Sequence, residues 1–165
     1  MLRSLTCPLL IVKQEPRVPY HTVLVPVDFS ESSRRGVELA SRIAPHGNIT
    51  VLHAFEVPFE AELRLSDKEV HVFRDEVRAQ RKRMMEQLAA GCSVGGSLAP
   101  SVSHMIEGGT PAAIIHAATE SLKPDLIIVG KHGQSGGEGK LPGTVARQVV
   151  RDAPCDVLIT GVETG

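Results

Sequence analysis

The sequence predicts an α/β protein in which a parallel β-sheet is covered by helices on both faces. Short apolar segments rich in β-branched residues alternate with longer segments whose apolar residues recur at helical spacing. Residues 126–129 are apolar without interruption, which is typical of a strand buried on both faces of a parallel sheet. Because parallel neighbours are joined through crossover helices, this order predicts an open, doubly wound sheet of five strands.

The first strand is predicted at residues 22–27, where β-branched residues are frequent. A helix follows at about residues 31–44, because Ser30 occupies its N-cap position and an apolar stripe runs along one side. A break at residues 45–48 ends this helix. The second strand is then predicted at residues 49–55.

A second helix is predicted between a capping box at residues 66–69 and a stop at Gly91. Its apolar residues recur at helical spacing, and they are Val70, Phe73, Val77, Met84 and Leu88. The third strand is predicted at residues 100–106. Thr110 and Pro111 then provide the N-cap and the first residue of a third helix.

A glycine-rich loop follows the fourth predicted strand. Its glycines stand at positions 130, 133, 136, 137, 139 and 143, and Thr144 begins the last helix, which precedes a fifth strand at residues 156–160. Glycine lets the backbone approach an anion, and the first N–H groups of a helix point at an anion placed there. The order of strand, glycine-rich loop and helix therefore predicts a phosphate site.

Two common phosphate-binding motifs do not fit this loop. A Walker A loop needs Ser or Thr after its G-K pair, but Leu141 follows Lys140, and Gln134 stands where the leading glycine belongs. A dinucleotide fingerprint that starts at Gly137 needs a third glycine where Pro142 stands. The phosphate loop is therefore of another kind.

The spacing Gly130-x2-Gly133-x9-Gly143-Thr144 resembles the ATP-binding signature of the universal stress protein family. Other segments resemble the first strand, the second strand and the last helix and strand of that family, and they are residues 23–30, 51–54 and 149–159. The resemblance implies an open five-stranded α/β fold that is adenine nucleotide alpha hydrolase-like. One departure is Asp156, where the family often has Pro.

The resemblance implies an ATP site made by Pro26, Val27, Asp28, Ala54, Val129, Gly130, Lys131, Gly133, Gly143, Thr144 and Val145. Asp28 would hydrogen-bond the ribose or the base edge, and Ala54 would meet adenine through its backbone. The phosphates would be held by the backbone N–H groups of Gly133, Gly143 and Thr144 and by the hydroxyl of Thr144. The triphosphate would bring Mg²⁺ or Mn²⁺, held mainly by its own oxygens and by water, with no protein residue as a metal ligand.

The local sequence supports no catalytic motif: H-E-x-x-H does not occur, and the G-x-S-x-G spacing at residues 133–137 lies within the glycine-rich loop and not at a sharp turn between strand and helix. Glu138 is the only acid inside the glycine-rich loop. We therefore expect a regulatory nucleotide-binding module of the stress response with weak or no ATP hydrolysis and no catalytic residue. Two alternatives stay open, a nucleotide-free dimerisation domain and a slow ATP-hydrolysing enzyme.

Composition argues against several function classes. The net charge of −1 gives no electrostatic footprint for nucleic acid, and the apolar runs are far shorter than a membrane span. Cys7, Cys92 and Cys155 are odd in number and widely spaced, which favours a reducing cytosol over a disulfide framework. We expect a cytoplasmic protein that binds neither nucleic acid nor membrane.

The N-terminal segment resembles the end of the chain. Residues 2–12 match residues 150–160 at one constant offset, with Arg, Cys and Leu coinciding. We interpret residues 1–20 as an extension that resembles the last strand of a preceding repeat, and residues 21–162 as the domain. The family resemblance also implies a homodimer through antiparallel pairing of the last strands. The N-terminal segment is expected to be able to occupy that same edge, in its own chain or by exchange.

Overall fold

The computed structural model describes residues 7–15, 19–56, 67–90, 100–133 and 142–161. The strands are β1 (Leu9–Ile11), β2 (Thr22–Pro26), β3 (Asn48–Phe55), β4 (Ser101–Gly108), β5 (Leu126–Gly130) and β6 (Asp156–Thr160). The helices are α1 (Glu31–Ile43), α2 (Asp67–Ala90), α3 (Pro111–Leu122) and α4 (Thr144–Asp152). All six strands belong to one sheet in the order β1-β6-β5-β2-β3-β4.

The five strands from β2 to β6 form the parallel part of the sheet, which confirms the predicted α/β class. The predicted number of five strands is wrong for the whole sheet, because β1 adds a sixth. This strand pairs antiparallel with β6, and Leu10 lies opposite Leu158. The extra strand comes from the N-terminal segment and closes an edge that the parallel strands alone would leave open.

Apolar residues fill both faces of the sheet. Successive residues of one strand belong to different clusters: Ile128 packs with Val37 of α1 and Met85 of α2, whereas Ile127 packs with Ile115 of α3 on the other face. All five of these side chains are buried. Burial on both faces explains why β5 is apolar at every position of residues 126–129.

Local signals set the helix ends. Ser30 accepts a hydrogen bond from Ser33 N at 3.3 Å and caps α1, as predicted. Along α2 the fully buried methionine is Met85, whereas the predicted Met84 is only partly buried at the edge of the cluster. Both lie three or four residues before Leu88 and so share its side of the helix, which spacing alone does not resolve. Ser66, Gly91 and the side chains of Val70 and Phe73 lie outside the described residues.

The strand order reverses beside β2. From β2 the chain continues through β3 to β4 on one side, whereas β5 and β6 lie on the other. In open parallel sheets, a crevice forms at the carboxyl ends of the strands where the order reverses in this way. The residues that follow β2 and β5, Asp28 and Lys131 among them, therefore meet at one crevice.

Candidate functional site

The crevice at the switch in strand order is a cleft of about 580 Å³. Every residue that the motif predicts for the site lines it: Pro26, Val27, Asp28, Ala54, Val129, Gly130, Lys131, Gly133, Gly143, Thr144 and Val145. The volume lies within the range of about 300–1,000 Å³ that is usual for small-molecule sites. A cleft of about 610 Å³ beside α2 contains none of these residues, so size alone would not select the site.

A tight turn after β2 places Asp28 in the cleft. Asp28 Oδ1 accepts hydrogen bonds from Ser30 N at 3.1 Å and from Ser30 Oγ at 2.6 Å. A Cβ atom added to Gly133 would lie 2.6 Å from Asp28 Oδ2, so the carboxylate and the glycine loop are close neighbours. The turn thereby brings the residue expected at the ribose against the loop expected at the phosphates.

The turn contains a strained residue that packing holds in place. Phe29 has a φ of 65°, a left-handed conformation that a bulky residue rarely adopts. Its ring is buried, lies 4.5 Å from the His53 ring between centroids, and has the guanidinium carbon of Arg81 at 5.9 Å. A strained backbone conformation of this kind persists only where the surrounding packing fixes it, and such residues are frequent at functional sites.

Hydrogen bonds fasten both ends of the glycine-rich loop. Lys131 N donates to Thr160 O at 2.9 Å, and Gly143 N donates to Lys131 O at 2.8 Å. The His132 carbonyl accepts from the hydroxyls of Ser30 and Ser32, both at 3.3 Å. The loop is thus attached to β6 and to the start of α1. Its middle, with Glu138 and Lys140, lies outside the described residues.

The first turn of α4 lines the cleft, and its backbone donors receive no side-chain cap from the N-cap residue. Gly143 is the N-cap residue and provides no side-chain hydrogen bond to the helix. The first intrahelical bond of this turn is from Arg147 N to Gly143 O at 3.0 Å, whereas Thr144, Val145 and Ala146 line the cleft. Uncapped N–H groups and the positive end of the helix dipole together favour an anion here.

Lys131 adds a positive charge with little solvent around it. The residue is only 8% exposed and lines the cleft. Burying a charged side chain is unfavourable unless an opposite charge or hydrogen bonds compensate for the lost solvent. An anion in the cleft would interact favourably with this lysine as well as with the helix terminus.

Several cleft residues were missed by the motif, and they are Ser33, Leu52, Pro111, Ile115 and Ala146. His132 lines the cleft too, whereas Arg147 is exposed on α4. No sequence pattern singled out Ile115. Its contribution to the cleft follows from how α3 crosses the ends of the strands, which no local pattern reports.

His53 lies behind the cleft and makes stability depend on pH. Its Nδ1 is 2.8 Å from Val27 O. Burial lowers the pKa of His53 from the usual 6.5, and the positive charge of Arg81 lowers it too, whereas the Val27 carbonyl and Asp28 raise it by less. The unfolded chain therefore binds this proton more readily, so stability should be fully present above pH 6.5 and fall as the pH drops below it.

We expect His53→Gln to show a smaller loss of stability between pH 7 and pH 5 than the parent in urea unfolding. His104→Gln on the exposed part of β4 serves as the control. Equal losses in the parent and in His53→Gln would contradict this assignment.

The family comparison identifies a matching model, that of the universal stress protein family, over residues 19–161. Universal stress protein E of Salmonella typhi is 24% identical over 171 residues, covering 96% of this chain and 52% of that protein. The chain thus spans about half the length of this relative. The alignment with this relative covers more of the chain than the match to the family model, which begins at residue 19, after β1.

Two solved structures have the same fold. Hypothetical protein MJ0577 has a TM-score of 0.74 at 23% identity, covering 87% of this chain and 97% of its own. A universal stress protein in complex with cAMP has a TM-score of 0.58 at 26% identity, covering 87% and 98%. The first shows the fold alone, and the second is a relative that holds an adenine nucleotide.

Proposed function

The chain belongs to the universal stress protein family, and we propose that it is an ATP-binding member that acts as a small regulator of a stress response. The observation that carries this proposal is the uncapped first turn of α4, which faces a cleft closed by Gly133 and Gly143. A polyanion there would meet backbone donors, the helix dipole and Lys131 together. The family match and the cleft support the proposal independently.

The adenine end of the cleft is proposed at β3. Leu52 and Ala54 line this part of the cleft. They are two residues apart in the strand, so both side chains lie on the same face of the sheet. Small apolar side chains leave room for a flat base, and strand ends carry backbone groups that can read its edge. The relative in complex with cAMP supports adenine over other bases.

A divalent cation is proposed to arrive with the nucleotide. The described residues contain no group of three His, Cys, Asp or Glu side chains that could hold a metal ion. Mg²⁺ or Mn²⁺ would then be held mainly by triphosphate oxygens and water, as is usual for nucleotide-bound Mg²⁺. The protein's part would be to orient the phosphates through Thr144 and the loop backbone.

The proposal is tested by identifying the nucleotide that purified protein retains. Denaturation should release ATP or ADP, identified by mass, and nucleotide-free protein should bind ATP in calorimetry more tightly than GTP or inorganic phosphate. Protein that retains no nucleotide and binds none when it is added would favour the alternative of a nucleotide-free dimerisation domain. If the protein bound inorganic phosphate tightly but not ATP, the anion site would be supported and the proposal that ATP is its ligand would be contradicted.

Turnover is expected to be far slower than the median enzyme rate of about 10 s⁻¹. Among the described residues, Asp28 alone places a carboxylate in the lining of the cleft, and this carboxylate accepts two hydrogen bonds from Ser30. Phosphate release by highly purified protein measures the rate. Rapid hydrolysis that Asp28→Asn removes would establish the enzyme alternative.

Lys131→Met is expected to weaken ATP binding about tenfold, the equivalent of one charge-assisted hydrogen bond. Methionine keeps the length of the buried stem, so unfolding by urea should be little changed. Lys82→Met, at an exposed position of α2, is the matched control. Unaltered ATP affinity in Lys131→Met would remove this lysine from the site.

The remaining proposals concern location and assembly. None of the described helices has the length and hydropathy needed to cross a membrane. Cytoplasmic location stays a prediction, supported by the free thiols of Cys7 and Cys155. The homodimer through the last strand stays a prediction that would require β1 to leave β6, because β1 lies on the edge that the dimer would use.

A further inference from the structure

We propose that β1 is a built-in occupant of a two-fold dimer interface, so that the intact chain blocks at β6 the contact that a second copy would make. This inference does not depend on nucleotide binding. It rests on the register of β1, on the way in which β1 is held, and on what its departure would expose.

The register of β1 is that of a two-fold axis. When residues 2–12 are aligned with residues 150–160, which they resemble, Leu10 is aligned with Leu158. Leu10 is also the residue that pairs with Leu158, and the pairs on either side are Leu9 with Ile159 and Ile11 with Val157. Each β1 residue thus lies where the corresponding β6 residue of a second copy would lie. A two-fold interface requires this reciprocity, in which residue i meets j and j meets i.

Apolar packing by β1 itself is slight. The strand has three residues, Leu10 is 42% exposed, and Val12 after it is 58% exposed. Ile11 packs at the edge of one core cluster and is only partly buried. So short a strand has little to hold it in place besides its ladder hydrogen bonds. It therefore needs help from the residues that follow.

A polar latch, formed by Asp156 with Lys13, Gln14 and Tyr20, provides that help. Asp156 is 5% exposed, and its carboxylate accepts from Lys13 N at 2.8 Å, Gln14 N at 3.1 Å and Tyr20 OH at 2.8 Å. Hydrogen bonds to a charged carboxylate are among the stronger ones in proteins. The latch joins the start of β6 to the chain just after β1.

Two further contacts hold the same segment. The Lys13 ammonium donates to the carbonyls of Val150 and Ala153 at the carboxyl end of α4, where the helix dipole favours a cation. The Gln14 side chain donates to Asp125 O at 3.2 Å. Most of the contacts that retain β1 are thus polar and lie outside the strand pairing, so they can be removed without altering the β6 residues that pair with β1.

Loss of β1 would leave β6 as an exposed edge. Residues 157–159 are Val, Leu and Ile, and an unpaired apolar edge strand is a template for another strand. The β6 strand of a second copy has the composition and register that β1 reproduces. A second copy of this chain is therefore the occupant that the edge fits once β1 has left.

The test compares the intact chain with a chain that lacks residues 1–14. Light scattering should give one chain per particle for the former and two for the latter. A synthetic peptide of residues 7–14 should return the truncated chain to one chain per particle. A truncated chain that stays folded and monomeric overturns the proposal.

The register is tested by Leu158→Cys in a background without Cys7, Cys92 and Cys155. Paired residues of antiparallel strands have Cα atoms about 4.5–5.5 Å apart, within reach of a disulfide. Oxidation should link two truncated chains and leave intact chains unlinked. Equal linkage in both overturns the proposal.

If the truncated chain does not fold, the latch is removed in the intact chain instead. Asp156→Ala should then allow the Leu158→Cys linkage, whereas Asp152→Ala should not. Asp152 is an exposed aspartate near the same edge that pairs with Arg151. Absence of linkage in Asp156→Ala also overturns the proposal.

Discussion

Gly143→Val is expected to lower ATP affinity by at least about 100-fold while leaving the fold intact. A Cβ atom at Gly143 would meet only Lys131 O at 3.6 Å, an ordinary contact, and the backbone there has a φ of −59° that valine can adopt. The protein thus has room for the side chain, but a phosphate held against the start of α4 does not. Loss of two charge-assisted hydrogen bonds, at about 1.5–3 kcal/mol each, accounts for the expected effect.

Calorimetry with ATP measures the affinity, and urea unfolding should show a loss of only about 1 kcal/mol from the poorer N-cap. Gly108→Val is the matched control, because a Cβ there would also have its nearest neighbour at 3.6 Å, in Phe55, away from the cleft. If Gly143→Val binds ATP as well as Gly108→Val does, the phosphate site lies elsewhere.

Most of the fold follows from sequence patterns because the parallel strands are buried on both faces. Such strands are apolar throughout, and turn residues separate them from helices, so their order was predictable along the chain. The edge strand β1 was harder. A strand of three residues is too short to show a hydrophobic periodicity, and only its likeness to the last strand suggested where it would lie.

The candidate site was predictable as a set of residues but not as a geometry. A motif names Gly130, Gly133 and Gly143 alike, whereas the structure gives each a different neighbour: Ser32, Asp28 and the Lys131 carbonyl. These neighbours come from distant parts of the chain, so no local spacing reports them. The departure at Asp156 likewise has its explanation only in the folded chain, where its carboxylate anchors the residues after β1.

Gly130→Ala is therefore expected to differ in kind from Gly143→Val, because it should destabilise the protein itself. A Cβ atom at Gly130 would lie 2.8 Å from Ser32 Oγ and 3.2 Å from the backbone N of Ser33. The backbone cannot rotate away as a side chain can, so α1 or the loop must shift. Overpacking of this kind costs about 1–3 kcal/mol. Urea unfolding should show this loss with no ligand present, and ATP binding should weaken as the loop moves.

A double-mutant cycle with Ser32→Ala separates the two contacts. Removing the Ser32 hydroxyl relieves the closer one but also loses its hydrogen bond to the His132 carbonyl, so Ser32→Ala alone should be mildly destabilising. Combined with Gly130→Ala, the loss should be smaller than the sum of the two single losses, because both changes act on one contact. Strictly additive losses would show that the space at Gly130 is not set by Ser32. The loss in Gly130→Ala would then come from the contact with the backbone N of Ser33, which Ser32→Ala leaves in place, so that the backbone of α1 and not a side chain would set the space at Gly130.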